Sequence, residues 1–161
     1  MSIEILKSAV RILDRLGILN RVILAGEPAA ALLKTDMDFE GIFTEIPFLI
    51  EKPHSLPRAS IHEAFRAEGF DYLEDCYGRL STFSKDETRV AFYTGLNGSS
   101  RTKVLEVPSL GLNIMAARKY NHAFERTVEI CLDGLSIRIT EPLLMKLNNG
   151  DMHSKNSSDG K

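Results

Sequence analysis

Val22-Ile23-Leu24-Ala25-Gly26-Glu27-Pro28, followed by Thr35-Asp36-Met37-Asp38-Phe39, is the stretch on which the reading of this chain turns. Residues 21–24, apolar from Val22 to Leu24, read as a short buried strand. Gly26 permits the tight turn that ends it, Pro28 suits the first turn of a helix, and residues 29–33 continue that helix. After Thr35 the order Asp-Met-Asp-Phe alternates polar and apolar, as a half-buried strand does, so Asp36 and Asp38 are expected on one face of it. Two carboxylates so placed can share one hard divalent cation. A strand that ends in glycine and opens a helix exposes backbone N–H groups, which hold phosphate without a dedicated side chain. A divalent ion beside held phosphate is the equipment of phosphoryl or nucleotidyl transfer, where the metal neutralises charge and activates the attacking oxygen.

Outward from this stretch, the three-and-four spacing of Ile3, Leu6, Val10, Leu13 and Leu16 predicts a helix over residues 3–17, with Ser2 before it and Gly17 after. Residues 51–57 carry two prolines and read as a loop. Ser60 to Glu63 spells a capping box that opens a helix ending at Gly69. Strands are expected over residues 70–73, 79–83, 88–94 and 102–107. Asp133-Gly134 between residues 127–132 and 135–140 is the strongest hairpin signal in the chain, since that pair tolerates the positive φ of a primed turn. A short helix with Leu143, Leu144 and Leu147 is expected next, and residues 151–161 read as a disordered tail after a single domain over residues 1–150.

The 161 residues are 43% apolar, enough to bury a core. Twenty Lys plus Arg against 22 Asp plus Glu give a net charge of −2, so no global basic field points to nucleic acid or an anionic membrane. No run of apolar residues is long enough to span a bilayer, and the first residues lack the basic-then-apolar order of a signal peptide. Cys76 and Cys131 exclude a zinc ribbon and a disulfide scaffold and read as buried apolar fillers, which makes a cytoplasmic protein the expectation. His54, His62, His122 and His153 share no metal-ligand spacing and read as solvated surface.

The pair of segments quoted first resembles the nucleotidyltransferase superfamily typified by DNA polymerase beta, in which a strand leads to Gly-Ser or Gly-Gly, a short helix follows and an Asp-x-Asp strand comes next. Gly78-Arg79-Leu80-Ser81-Thr82-Phe83 and Arg89-Val90-Ala91-Phe92 look like the central hairpin of an uncharacterised prokaryotic branch, and residues 135–147 look like its strand-to-helix step. The resemblance covers most of residues 3–150. It implies an α/β fold with a small mixed sheet and packed helices. It also implies Asp36 and Asp38 as catalytic magnesium ligands, phosphate held at Gly26 and Glu27, and transfer of a nucleoside monophosphate from a nucleoside triphosphate to an unknown acceptor.

Two departures bear on that activity. Glu27 stands where the superfamily has a small residue, and its charge would face an incoming triphosphate. The third metal-binding carboxylate normally lies on the strand beside the Asp-x-Asp strand, and the position aligned with it is Ala91; Glu87, Glu106 and Glu129 are the acids that could replace it. The alternative is a catalytically silent binding or regulatory protein, antitoxin-like, with a protein partner. A calcium loop starting at Asp36 fails at its twelfth position, which is Pro47. Dinucleotide, P-loop and nucleophile-elbow motifs are absent from the sequence.

Overall fold

The computed structural model describes residues 2–33, 43–74, 79–96 and 101–140. Residues 34–42, with the expected Asp-x-Asp strand, and residues 141–161, with the expected last helix and tail, lie outside them, as does Cys76. In chain order the elements are α1 (Ser2–Arg15), β1 (Val22–Leu24), α2 (Gly26–Leu33), β2 (Glu45–Ile50), α3 (Ile61–Ala67), β3 (Asp71–Glu74), β4 (Ser81–Lys85), β5 (Thr88–Thr94), β6 (Lys103–Val107), β7 (Leu112–Ala116), β8 (Thr127–Leu132) and β9 (Leu135–Thr140). Three short 3-10 helices, Leu19–Arg21, Pro53–Ser55 and Arg118–Phe124, join them.

The nine strands of the described residues form one mixed sheet, larger than the small sheet expected, with the order β3-β4-β5-β2-β1-β9-β8 and the β6–β7 hairpin attached through β7 to β5. β2 lies at its centre, antiparallel to β1 and parallel to β5. The proline in β2 is what hid this strand from the sequence, because proline removes a ladder donor. In the fold that loss falls at the end of the β1 ladder: the Ala25 N–H donates to the Pro47 carbonyl at 3.0 Å, and only the return bond from position 47 is missing.

Alternation along the strands sorts side chains to two faces. Val22 and Leu24 of β1, Ile46, Phe48 and Ile50 of β2, and Val90 and Phe92 of β5 share one large core with α1 and α3. The helix signal of α1 is borne out, and the buried stripe is wider than the five residues that announced it, since Ile5, Ala9 and Ile12 are buried too. Ser60 caps α3 as read, its Oγ accepting from the Glu63 N–H at 3.3 Å. Asp133 and Gly134 have φ of 54° and 81°, as the primed hairpin turn requires. Arg11 reaches Asp133 at 2.6 Å and Arg15 reaches Glu68 at 2.7 Å, tying α1 to the β8–β9 turn and to the end of α3.

Two expectations are corrected. Cys131 is exposed, because β8 is an edge strand and Cys131 faces opposite to Ile130 and Leu132 on it. His62 is half-buried rather than solvated, its ring centroid 4.1 Å from that of Tyr72 and 6.1 Å from that of Phe83, because the start of α3 leans on the β3–β4 pair. Among the described residues no helix is long and apolar enough to cross a membrane.

Phe65, Phe83 and Phe92 form the centre of the large core, with ring centroids 4.8 Å apart for Phe65 and Phe83 and 6.1 Å for Phe65 and Phe92. Phe92→Ala should therefore destabilise the protein by about 3–5 kcal/mol, measured by urea denaturation, because a rigid β-sheet beneath it cannot collapse to fill the space.

Candidate functional site

The second face of the sheet is where the expected chemistry would sit. On it, β5 presents Arg89, Ala91 and Tyr93, which pair in register with Glu45, Pro47 and Leu49 of β2. Ile23 and Ala25 of β1 belong to the same face, and Leu80, Leu49, Ala91 and Tyr93 gather with them into a second, smaller core. The 3-10 helix Arg118–Phe124 lies over this face through Tyr120, Ala123 and Phe124.

Gly26 opens α2 with φ of 69°, a left-handed conformation that glycine adopts freely. A Cβ there would come within 2.9 Å of the Pro47 side chain, so packing alone also requires glycine at this position. Glu27, the next residue, is exposed, and Pro28 and Ala29 are buried beneath the helix start. Thr140, one residue beyond the Leu24–Ile139 pair on the neighbouring strand β9, is fully buried with a hydroxyl that has no hydrogen-bond partner among the described residues. Asp36 and Asp38 lie outside the described residues, so their placement against Gly26 is not part of this geometry.

The position aligned with the third carboxylate is Ala91, 1% exposed, with Pro47 on one side and Thr82 on the other. None of the acids named as replacements comes to this row. Glu87 is in the two-residue turn before β5 with φ of 67°, Glu106 is on β6, two strands from β5, and Glu129 is on β8, two strands from β1. Glu45 is the acid that the sequence reading missed, and it does share this face. Its Oε1 accepts from the Tyr93 hydroxyl at 2.5 Å. That bond runs from the Leu49–Tyr93 row to the Glu45–Arg89 row, so the phenol passes the Pro47–Ala91 row that lies between them. A signal existed in Glu45-Ile46-Pro47-Phe48-Leu49-Ile50, half of it alternating and half continuously apolar, but its proline argued against a central strand.

The surroundings of Glu45 fix the protonation of two tyrosines. Burial, then the charge of Glu45 and its hydrogen bond, push the Tyr93 hydroxyl far above its ordinary range. Tyr120, whose ring centroid is 5.1 Å from that of Tyr93, is pushed up by burial and by the same carboxylate. Among the described residues no three His, Cys, Asp or Glu side chains come together as a metal ion would need. Ala91 and Pro47, which make up the middle row of this face, carry no metal-binding group, while Arg89 on the same face is exposed. Compared with protein-family models, with curated proteins and with solved structures, the chain finds no match.

Two outcomes follow from this face. Ala91→Glu puts a carboxylate into a packed apolar row under the Tyr93 phenol, and should cost about 3 kcal/mol or more in urea denaturation at neutral pH. The loss should shrink as the pH falls toward the unfolded carboxyl range, because burial raises the folded-state affinity of that carboxylate for a proton. For the tyrosines the sign is the same and the window lies higher. Their folded-state proton affinity is raised, so the stability they contribute is fully present below about pH 10 and is lost as the pH rises above it. Absorbance titration at 295 nm should show Tyr93 and Tyr120 ionising only with alkaline unfolding, and Tyr93→Phe should remove part of that late change.

Proposed function

We propose that this chain is a nucleotidyltransferase-type domain that no longer transfers nucleotides and acts as a binding or regulatory protein. The observation that carries the reading is the Tyr93–Glu45 hydrogen bond across the buried Ala91 row. A transfer site needs a carboxylate at that row to complete the metal shell and room above it for the triphosphate and the acceptor. Here the row is alanine and proline, and the room is taken by a phenol ring and by the helix Arg118–Phe124. Glu27, exposed at the start of α2, adds a like charge beside any phosphate approaching the Gly26 turn. The N–H groups of that turn are what favour retained, weak phosphate binding without turnover.

The test incubates the full chain with magnesium, each α-labelled ribonucleoside triphosphate in turn, and a total cell extract as the source of acceptors. The expected result is no transferred label and a small rise in melting temperature with magnesium and nucleotide together. Label that accumulates with the natural protein and disappears with Asp38→Asn would establish transfer and overturn the silent reading.

A further inference from the structure

Three parallel strands, β2, β5 and β7, end side by side at the end of the sheet away from the Gly26 turn. The antiparallel register of β1 and β2, with Val22 opposite Ile50 and Leu24 opposite Phe48, puts Glu51 past the start of β1 and Gly26 past its finish. From β2 the chain leaves through the 3-10 helix Pro53–Ser55 to α3, whose Ile61 and Phe65 are in the large core. From β7 it leaves through Arg118–Phe124, whose Tyr120, Ala123 and Phe124 pack on the opposite face. Connections that depart to opposite faces leave a crevice outside the carboxyl ends of the strands, which is where open α/β sheets bind their ligands. A groove of about 410 Å³ lies there, within the range of small-molecule sites.

The floor of this groove is already committed. Asn121 accepts from the Leu96 N–H at 2.8 Å and donates to the Leu96 carbonyl at 3.0 Å, and it sits so close that a Cβ on Gly95 would come within 2.3 Å of its Oδ1. The Thr94 hydroxyl donates to the Ile50 carbonyl at 2.5 Å. What remains for a ligand is one carboxylate and one ammonium, Glu51 and Lys52, both exposed and neither held in an ion pair among the described residues. Beside them Leu105 and Phe124 supply an apolar wall.

We propose that this groove binds a free α-amino acid with an apolar side chain. Its ammonium group meets Glu51, its carboxylate meets Lys52, and its side chain lies against Leu105 and Phe124. A ligand of one sign would leave the like-charged member of the pair unanswered, and a nucleotide would bring its phosphates against Glu51. The site is separate from the Gly26 turn, so its failure would leave the nucleotidyltransferase-type reading untouched.

Isothermal titration of the full chain with L-leucine, with leucinol as the cation alone and with 4-methylpentanoate as the anion alone tests it. L-leucine should bind saturably, and each single-charge analogue should bind about tenfold or more weakly, since each loses one charge-assisted contact. Glu51→Gln should weaken L-leucine by a similar factor without weakening 4-methylpentanoate. Lys52→Asn, which suits the φ of 53° at that position, should weaken L-leucine without weakening leucinol. Both side chains are exposed, and melting curves confirm that the variants are folded. Absence of saturable heat with both L-leucine and L-phenylalanine at millimolar concentration, or binding that is equal in the natural protein and the double variant, would overturn the proposal.

Discussion

The parallel pairing of β2 with β5 is the contact on which the rest of the structure depends. It joins five residue pairs, from Glu45–Arg89 to Leu49–Tyr93, at the centre of the sheet. Because neighbours in register share a face, this one ladder assigns Phe48 and Phe92 to the helix-covered core and sends Pro47, Ala91, Leu49 and Tyr93 to the other side. A slip by one residue would put Glu45 among the phenylalanines, so register here is specified by the cost of burying a charge as much as by apolar gain. Threonines fasten the two strands at both ends: Thr88 donates to the Phe43 carbonyl at 3.1 Å and Thr94 to that of Ile50 at 2.5 Å.

The same ladder makes the middle of the second face apolar. Four of its central positions are Ala25, Pro47, Ala91 and Leu49, none of which can carry a proton or a metal at neutral pH. Of the polar groups on this face, Glu45 and Tyr93 satisfy each other, and Arg89 is exposed. A polar pair that is internally satisfied fixes the geometry of a face and offers little to a solute, whereas a reactive site keeps its donors and acceptors poised toward an open space.

Much of the fold was legible in local signals. The periodicity of Leu6, Val10 and Leu13, the Ser60–Glu63 cap and the Asp133-Gly134 turn each depend on residues close in sequence, and each forms as read. What stayed hidden depends on distant partners. β2 is a strand because β1 ends before the N–H that Pro47 lacks would be needed, which no window around residue 47 reveals. Glu45 gains its part only when Tyr93, 48 residues later, arrives beside it. His62 was read as surface because its burial comes from Tyr72 and Phe83 rather than from any pattern in α3 itself. Of the site residues expected from the sequence, Asp36 and Asp38 lie outside the described residues, Gly26 takes the left-handed turn, and Ala91 is on the central strand β5. The covering of the second face by Tyr93 and the helix Arg118–Phe124 was not legible, since that helix carries no strong periodicity.

The threonine fastenings between β2 and β5 also say something about how the chain reaches this state. Their partners are 45 and 44 residues apart, and the intervening chain holds α3, β3 and β4, so the central ladder cannot close until a long loop has been drawn in. The β4–β5 and β8–β9 hairpins need only two-residue turns and can pair within microseconds. By the same measure the pairing of β1 with β9, which brings Ile23 to Arg138, spans a longer loop still, so the β8–β9 hairpin is expected to join the sheet after β2 has paired with β1 and β5. Before the β2–β5 ladder closes, Phe48, Ile50 and Phe92 are open to other chains, which makes that interval one of exposure to aggregation.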